Sequence, residues 1–258
     1  MRKNVSFGCV EFSVPGDTLE EKLGLLESRG MWLELANDGG RKLEDISGAL
    51  SSFKTPVRSV QANLLHKLRM LSDDRAEHGA ALRHVEETMR LASRIGAKNI
   101  VTTLAYGKPP AIHPRRMAVE NYKRLGKLAE ELDVTVSIEP LGKNRSTFLP
   151  GTQDVRDLID EVDMAHVCLM ADTMHIHDNG DDVYDTLAGN IGEISELQLR
   201  DTDSRPPGEG SLDFEKVMKI VLKKFDGLLC MEYKPGPNPS AEFIRACDFV
   251  ADVIAAAR

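Results

Sequence analysis

Four apolar runs in the C-terminal half of the chain each end at a polar residue that offers an oxygen ligand. Residues 134–138 run into Glu139, 167–171 into Asp172 and 228–231 into Glu232, while 194–199 carries Gln198 at its tip. Three carboxylates and one amide oxygen make a hard donor set that suits Mn²⁺ or Mg²⁺, with Co²⁺ also compatible and structural zinc disfavoured. A divalent ion held this way with open positions takes two neighbouring oxygens of a polyol or hydroxy-ketone. It would polarise a carbonyl and stabilise the enediolate left when the adjacent C–H loses its proton. His175 follows Asp172 by three residues, so an imidazole is at hand as a second ligand or a substrate contact. By itself D-x-x-H is a weak motif, and Asp172 capping a following turn explains it equally well. Its weight comes from the three other run ends.

Those side chains meet only if the ends of their strands meet. Strand-like runs at 4–12, 31–35, 57–61, 99–104, 134–138, 167–171, 194–199 and 228–231 alternate with helical patterns between them. Asp17-Thr-Leu-Glu20 reads as a capping box for the first helix, and Gly96 stands where the helix over 73–95 needs a C-terminal cap. Eight β-α units in 258 residues predict a single-domain α/β chain, a (β/α)₈ TIM barrel over residues 1–258. A doubly wound open sheet is the rival, but no G-x-G-x-x-G follows the first strand. In a barrel, strand ends five to eight converge at one mouth. Glu34, at the end of the second strand, is expected to point into that site or to pair locally.

Lys and Arg number 33 against 41 Asp and Glu, a net charge of −8 that opposes binding to phosphate backbones. No nucleic-acid partner is expected. The start, Met1-Arg-Lys-Asn-Val5, leads into no signal-peptide core, and no apolar run approaches the roughly 20 residues of a bilayer span. A cytoplasmic protein without membrane contact is expected, and a homo-oligomer is compatible with the sequence. Cys9, Cys168, Cys230 and Cys247 form no C-x-x-C pair and read as small buried hydrophobes.

The chain resembles the xylose isomerase-like TIM barrels, a superfamily of ketose epimerases, hydroxypyruvate isomerases, inosose-metabolising enzymes and endonuclease IV. Ser137-Ile-Glu139-Pro-Leu141, Ala171-Asp172-Thr-Met-His175 and Arg205-Pro-Pro-Gly208-Glu-Gly210-Ser-Leu-Asp213-Phe214 carry the likeness, which extends over nearly the whole chain. The resemblance implies that Glu139 and Glu232 are metal ligands and also the acid/base pair on opposite faces of the substrate carbon. It implies Asp172 as a third ligand, His175 as a contact to a substrate oxygen, and a loop that brings Arg205 near the substrate. His66, in a loop at the same rim, and His177, two residues beyond His175, are further candidate substrate contacts. His78 and His84 lie on a charged helix and are expected to be solvated.

Two departures bear on the reaction. The epimerases carry a histidine ligand where this chain has Gln198, a neutral and weaker donor that resembles the 3-dehydroshikimate dehydratases of the superfamily. Their substrate-binding arginine aligns with Ser204, one residue before Arg205. Strands three and four end at Gln61 and Tyr106-Gly107 with no histidine, unlike endonuclease IV. The resemblance implies a divalent-metal-dependent sugar or polyol isomerase/epimerase working on a small carbohydrate or keto-acid. A metal-dependent dehydratase is the first alternative, and a non-catalytic sugar- or metal-binding barrel the second.

Overall fold

The computed structural model describes residues 6–107 and 111–257. Asn4 and Val5, expected in the first strand, and Lys108 to Pro110 of the loop after the fourth lie outside them. Eight parallel strands close into a barrel in chain order: β1 Phe7–Val10, β2 Trp32–Asn37, β3 Val57–Ala62, β4 Asn99–Thr103, β5 Thr135–Glu139, β6 Val167–Asp172, β7 Ile194–Leu199 and β8 Leu228–Met231. The seam pairs β1 with β8 through Gly8 and Cys230. The principal helices are α1 Leu19–Ser28, α2 Leu43–Ser51, α3 Arg75–Ile95, α4 Pro114–Leu132, α5 Thr152–Val162, α6 Thr173–Asn179, α7 Val183–Asn190, α8 Phe214–Lys224 and α9 Pro239–Ala256. The predicted (β/α)₈ barrel is therefore the observed architecture.

Alternation along each strand sorts side chains between two environments. Leu33, Leu35, Val136, Ile138, Leu169, Ala171, Leu197 and Leu199 face outward into the large apolar core beneath the helices. The inward set is different. Val10, Trp32 and Cys230 form a small apolar plug, and above it the interior turns polar, with Glu34, Gln61, Glu139, Asp172, Glu196, Gln198 and Glu232 all buried. Gly8 is needed at the plug: a Cβ there would come within 2.2 Å of the Trp32 indole, its partner in register. The polar layer is internally bonded. Asn99 donates to Ser59 (3.2 Å) and to Glu196 (2.7 Å), and Ser137 donates to Asn99 (2.5 Å).

Local details move by a residue or two from the expectations. The capping box of α1 is built from Thr18 and Glu21. β1 ends at Val10, two residues short of the expected boundary, because Glu11–Ser13 forms a 3-10 turn whose Glu11 carboxylate accepts from Ala36 N at 3.1 Å and pairs with Arg41 at 2.6 Å. His84 is not solvated: it is buried, and its Nε2 accepts from Leu64 N at 3.3 Å. Helical periodicity turns it inward despite its charged neighbours. Among the described residues no helix is long and apolar enough to cross a membrane.

Candidate active site

The mouth of the barrel at the carboxyl ends of the strands gathers the predicted side chains. β6 ends at Asp172, which caps α6: its Oδ1 accepts from Met174 N at 2.7 Å and His175 N at 3.2 Å. The capping explanation of D-x-x-H is thus correct, but only for one oxygen. Oδ2 faces the other way, 2.7 Å from the Arg200 guanidinium. By setting the first turn of α6, the cap also buries His175 and brings its Nε2 to 3.4 Å from Glu139 Oε1 at the end of β5. One donor atom from each of Glu139, Asp172 and His175 lies within 4.8 Å of the others.

Gln198 stands opposite Asp172 in the β6–β7 register. Its Nε2 donates to Glu34 Oε1 at 3.0 Å, which fixes the amide and leaves Oε1 buried without a hydrogen bond. Glu34 therefore points into the barrel and holds the Gln198 amide, with Glu196 and Cys230 close by. Burial, then the neighbouring Glu196, raises the Glu34 carboxyl well above its ordinary range. Glu232, one residue past β8, accepts from Gln61 Nε2 at 3.3 Å and pairs with Arg200.

Burial first, and then Asp172, pushes the Glu139 carboxyl up to about 8. His175 moves down, because burial and the charges of Arg200 and Arg145 disfavour the imidazolium. Its approach to Glu139 is consequently a contact with a neutral ring, not an ion pair. Glu139 Oε1 and Gln198 Oε1 are buried and accept no hydrogen bond, and Asp172 Oδ2 has only its ion pair with Arg200. Unsatisfied buried acceptors are costly, and all three belong to the hard donor set read from the sequence. The residues present thus fit a divalent cation, with Arg200 as a fixed cation alongside.

Not every candidate reaches this cluster. His66 lies at the rim with its ring 4.9 Å from that of Tyr106, and burial followed by Arg145 and Arg200 lowers its pKa. His177 is turned outward, and its Nδ1 lies 3.5 Å from Asp178 Oδ1. Arg205 stays with its own loop, donating to Glu209 O at 3.2 Å, and its side chain is 55% exposed. Helix and loop geometry set both outcomes: α6 rotates His177 away from His175, and the chain beyond β7 doubles back before Arg205.

Three residues absent from the sequence reading belong here. Arg200 lies two positions beyond Gln198, so the same period-2 rule that turns Gln198 inward also turns Arg200 inward. That signal was readable. Thr173 Oγ1 clamps its backbone, donating to Arg200 O at 2.6 Å and accepting from Arg200 N at 2.9 Å. Asp201 is fully buried and gathers four backbone N–H groups of the following loop. Arg145, in the loop after β5, donates to Ser204 Oγ at 3.2 Å, a long-range contact with no signature in local sequence.

A cleft at the opposite end of the barrel is bordered by Arg58, Lys98, Cys168, Glu193, Ser195 and Asp226. The amino-terminal face of such barrels serves stability.

Residues 7–252 match the sequence pattern of the xylose isomerase-like TIM barrel. The chain belongs to that family. Among its curated relatives, the 3-dehydro-D-guloside 4-epimerase of Escherichia coli K12 is 23% identical over 188 residues, 69% of this chain and 71% of the relative. The D-psicose 3-epimerase of Enterocloster bolteae is 30% identical over 119 residues, covering 46% and 40%. A putative hydroxypyruvate isomerase of Streptomyces coelicolor is 28% identical over 135 residues, covering 49% and 48%. This chain thus spans less than half the length of the last two. Inosose dehydratase of Clostridium perfringens also matches, at 22% identity over 52% of each chain. The relatives of this xylose isomerase-like chain are therefore sugar epimerases, an isomerase and a dehydratase.

Solved structures agree on the fold. The apo crystal structure of 3-keto-D-glucoside 4-epimerase from E. coli superposes with a TM-score of 0.87 at 19% identity, covering 96% of this chain and all of that one. The IolI protein, described with a zinc atom, gives 0.80 at 18% identity, covering 98% and 99%.

Proposed function

We propose that this xylose isomerase-like barrel is a divalent-metal-dependent isomerase or epimerase that moves a proton at the carbon beside the carbonyl of a small polyhydroxylated substrate. The observation that supports it best is the placement of Glu139 and Glu232 at the ends of β5 and β8, the strands on either side of β6 and β7, whose tips carry Asp172 and the unsatisfied amide oxygen of Gln198. Glu139, Asp172, Gln198 and Glu232 would hold the ion, Mn²⁺ or Mg²⁺ by donor chemistry. When bound, it would polarise the substrate carbonyl and so acidify the neighbouring C–H.

The two glutamates stand in different environments, as an acid/base pair requires. Without the ion, Glu139 is biased by burial toward its protonated form, whereas Glu232 accepts from Gln61 and faces the Arg200 guanidinium. With the ion bound both are carboxylates, so one glutamate takes the proton from one face of the substrate carbon and the other, having taken a proton from water, returns one on the opposite face. Neutral His175 contacts a substrate oxygen. Gln198, a neutral donor, together with the dehydratase relative, supports a second reading: the same first abstraction followed by loss of water.

The Mn²⁺-loaded protein assayed in D₂O with ketoses, keto-glycosides and hydroxy-keto acids separates these readings. Solvent deuterium in recovered or epimerised substrate supports proton return, while a new conjugated absorbance supports elimination. No exchange and no elimination across the panel would refute both and leave a binding protein.

Metal binding itself should be pH-dependent. Glu139 in the metal-free protein holds a proton between its ordinary 4.5 and about 8, and a ligand must shed its proton to bind an ion. Mn²⁺ affinity is expected to rise with pH up to about 8, with net proton release near neutrality. Calorimetric titration in two buffers of different ionisation enthalpy measures that release, and equal apparent enthalpies in both would argue against Glu139 as a ligand.

A further inference from the structure

We propose that Glu34 is a positioning residue for the ion: by accepting from the Gln198 amide nitrogen it turns the amide oxygen toward the cation, and metal affinity depends on Glu34 through that hydrogen bond. This rests on the metal-dependent reading above and concerns how its one neutral ligand is held.

An amide can face the site in two ways. Gln198 Nε2 donates to Glu34 Oε1 at 3.0 Å, and Gln198 Oε1 stays buried without a hydrogen bond. Turned over, the amide would set its oxygen against the Glu34 oxygen and its N–H groups, which offer a metal no lone pair, toward the cation. Without an acceptor at position 34, the N–H groups would be unpaired below, and the ligand carboxylates would draw them upward. Glu34 separates these two states.

The contact is set by breaks in strand register. Between Leu169 and Met170 the β6–β7 pairing passes from Ile194 to Glu196 and skips Ser195. Ile194, Leu197 and Leu199 all pack in the outer core, although strict alternation puts Ile194 and Leu197 on opposite faces. The skipped residue therefore resets the phase of β7 and turns Glu196 and Gln198 inward together. Arg58 is skipped likewise in the β2–β3 pairing, which brings Ser59 level with Glu34.

Glu34 is also braced from beneath. One donor atom from each of Glu34, Glu196 and Cys230 lies within 4.8 Å of the others, all three residues are fully buried, and Asn99 Nδ2 donates to Glu196 Oε2 at 2.7 Å. Thr173 Oγ1, 3.4 Å from Gln198 O, holds the strand tip from the other side. Stability alone does not call for two acids here, since branched apolar side chains fill such barrel layers at less cost. Their place directly under an amide ligand is what a support for that ligand requires.

The test is Mn²⁺ calorimetry on wild type, Glu34→Leu, Glu34→Gln, Gln198→Ala and the double variant Glu34→Leu/Gln198→Ala. Glu34→Leu lacks the acceptor and should weaken Mn²⁺ binding by about 10- to 100-fold. Glu34→Gln still offers Gln198 an oxygen and should bring the affinity back to within a few-fold of wild type. In the Gln198→Ala background Glu34→Leu should have no effect, because the group it acts through is gone. If Glu34→Leu does not fold, Glu34→Met, unbranched like glutamate, takes its place in both backgrounds. A glutamate that only supports the barrel would weaken Mn²⁺ equally with and without Gln198, and that result would overturn the proposal. So would a loss in Glu34→Gln as large as in Glu34→Leu, which would assign the effect to charge. Weaker binding in Gln198→Ala with none in Glu34→Leu defeats this inference alone. No Mn²⁺ bound by wild type, or no loss in Gln198→Ala, defeats the metal site as drawn and this inference with it.

Discussion

Glu139→Gln and Glu232→Gln are each expected to lower the rate of solvent-deuterium exchange into substrate by roughly 10³-fold, in line with the 10²–10⁴ contributed by a positioned general acid or base. Glutamine keeps the shape of each side chain and one acceptor oxygen, so the barrel should fold. At position 139 it replaces a carboxyl that is buried beside His175. At position 232 it retains the acceptor for Gln61 but removes the negative charge facing Arg200. Because both residues are also expected to hold the ion, the assay is run at saturating Mn²⁺ with occupancy measured in parallel. Loss of exchange at full occupancy identifies proton transfer, and loss that tracks occupancy identifies ligation only. Wild-type rates in both variants would contradict the assigned roles.

Asp201→Ala should be the most damaging substitution for the loop that follows β7. Asp201 Oδ1 accepts from Thr202 N at 2.8 Å and Leu212 N at 3.0 Å, and Oδ2 accepts from Gly208 N at 3.0 Å and Gly210 N at 2.9 Å. The side chain is fully buried, so alanine would strand four donors. At about 1–3 kcal/mol for each buried donor left unpaired, partly relieved by entering water, a net loss of about 3 kcal/mol or more is expected. For a chain near this size that lowers Tm by about 6–12 °C. Gly210 is part of the same device, since a Cβ there would lie 2.3 Å from Asp201 Oδ1. Asp201→Asn keeps one acceptor and should lose about half as much. The loop also holds Asp203 and Ser204 at φ near +60°, a conformation disfavoured for residues with a Cβ, and Ser204 is the rest for Arg145. Thermal unfolding of the two variants is the check, and a shift under about 2 °C for Asp201→Ala would show that the loop is held by other contacts.

The barrel was legible because each strand is short, apolar and punctuated, and eight such units leave few alternatives. The mouth was legible in part for the same reason: Glu139, Asp172, Gln198 and Glu232 stand where apolar runs stop, and closure of the sheet brings those ends together. Arg200 was missed, although the same alternation carried two residues further reaches it. What could not be read was set by contacts between distant segments. Arg145 meets Ser204 across 59 residues, and Gln198 meets Glu34 across 164. Arg205 illustrates the converse error. Its sequence neighbourhood is the motif Pro206-Pro-Gly208-Glu-Gly210, but the motif exists to fold around Asp201, and that fold turns Arg205 outward. His84 misled in a similar way, since its charged neighbours occupy one side of α3 and the histidine the other.

The most direct measurement is an anomalous difference map from a crystal grown or soaked with Mn²⁺, collected near the manganese edge. One strong peak is expected at the carboxyl end of the barrel, within ligand distance of Glu139, Asp172, Gln198 Oε1 and Glu232, with the Gln198 amide still donating to Glu34. A map with no peak there, or with the manganese bound elsewhere and Arg200 filling the space among the carboxylates, would contradict it.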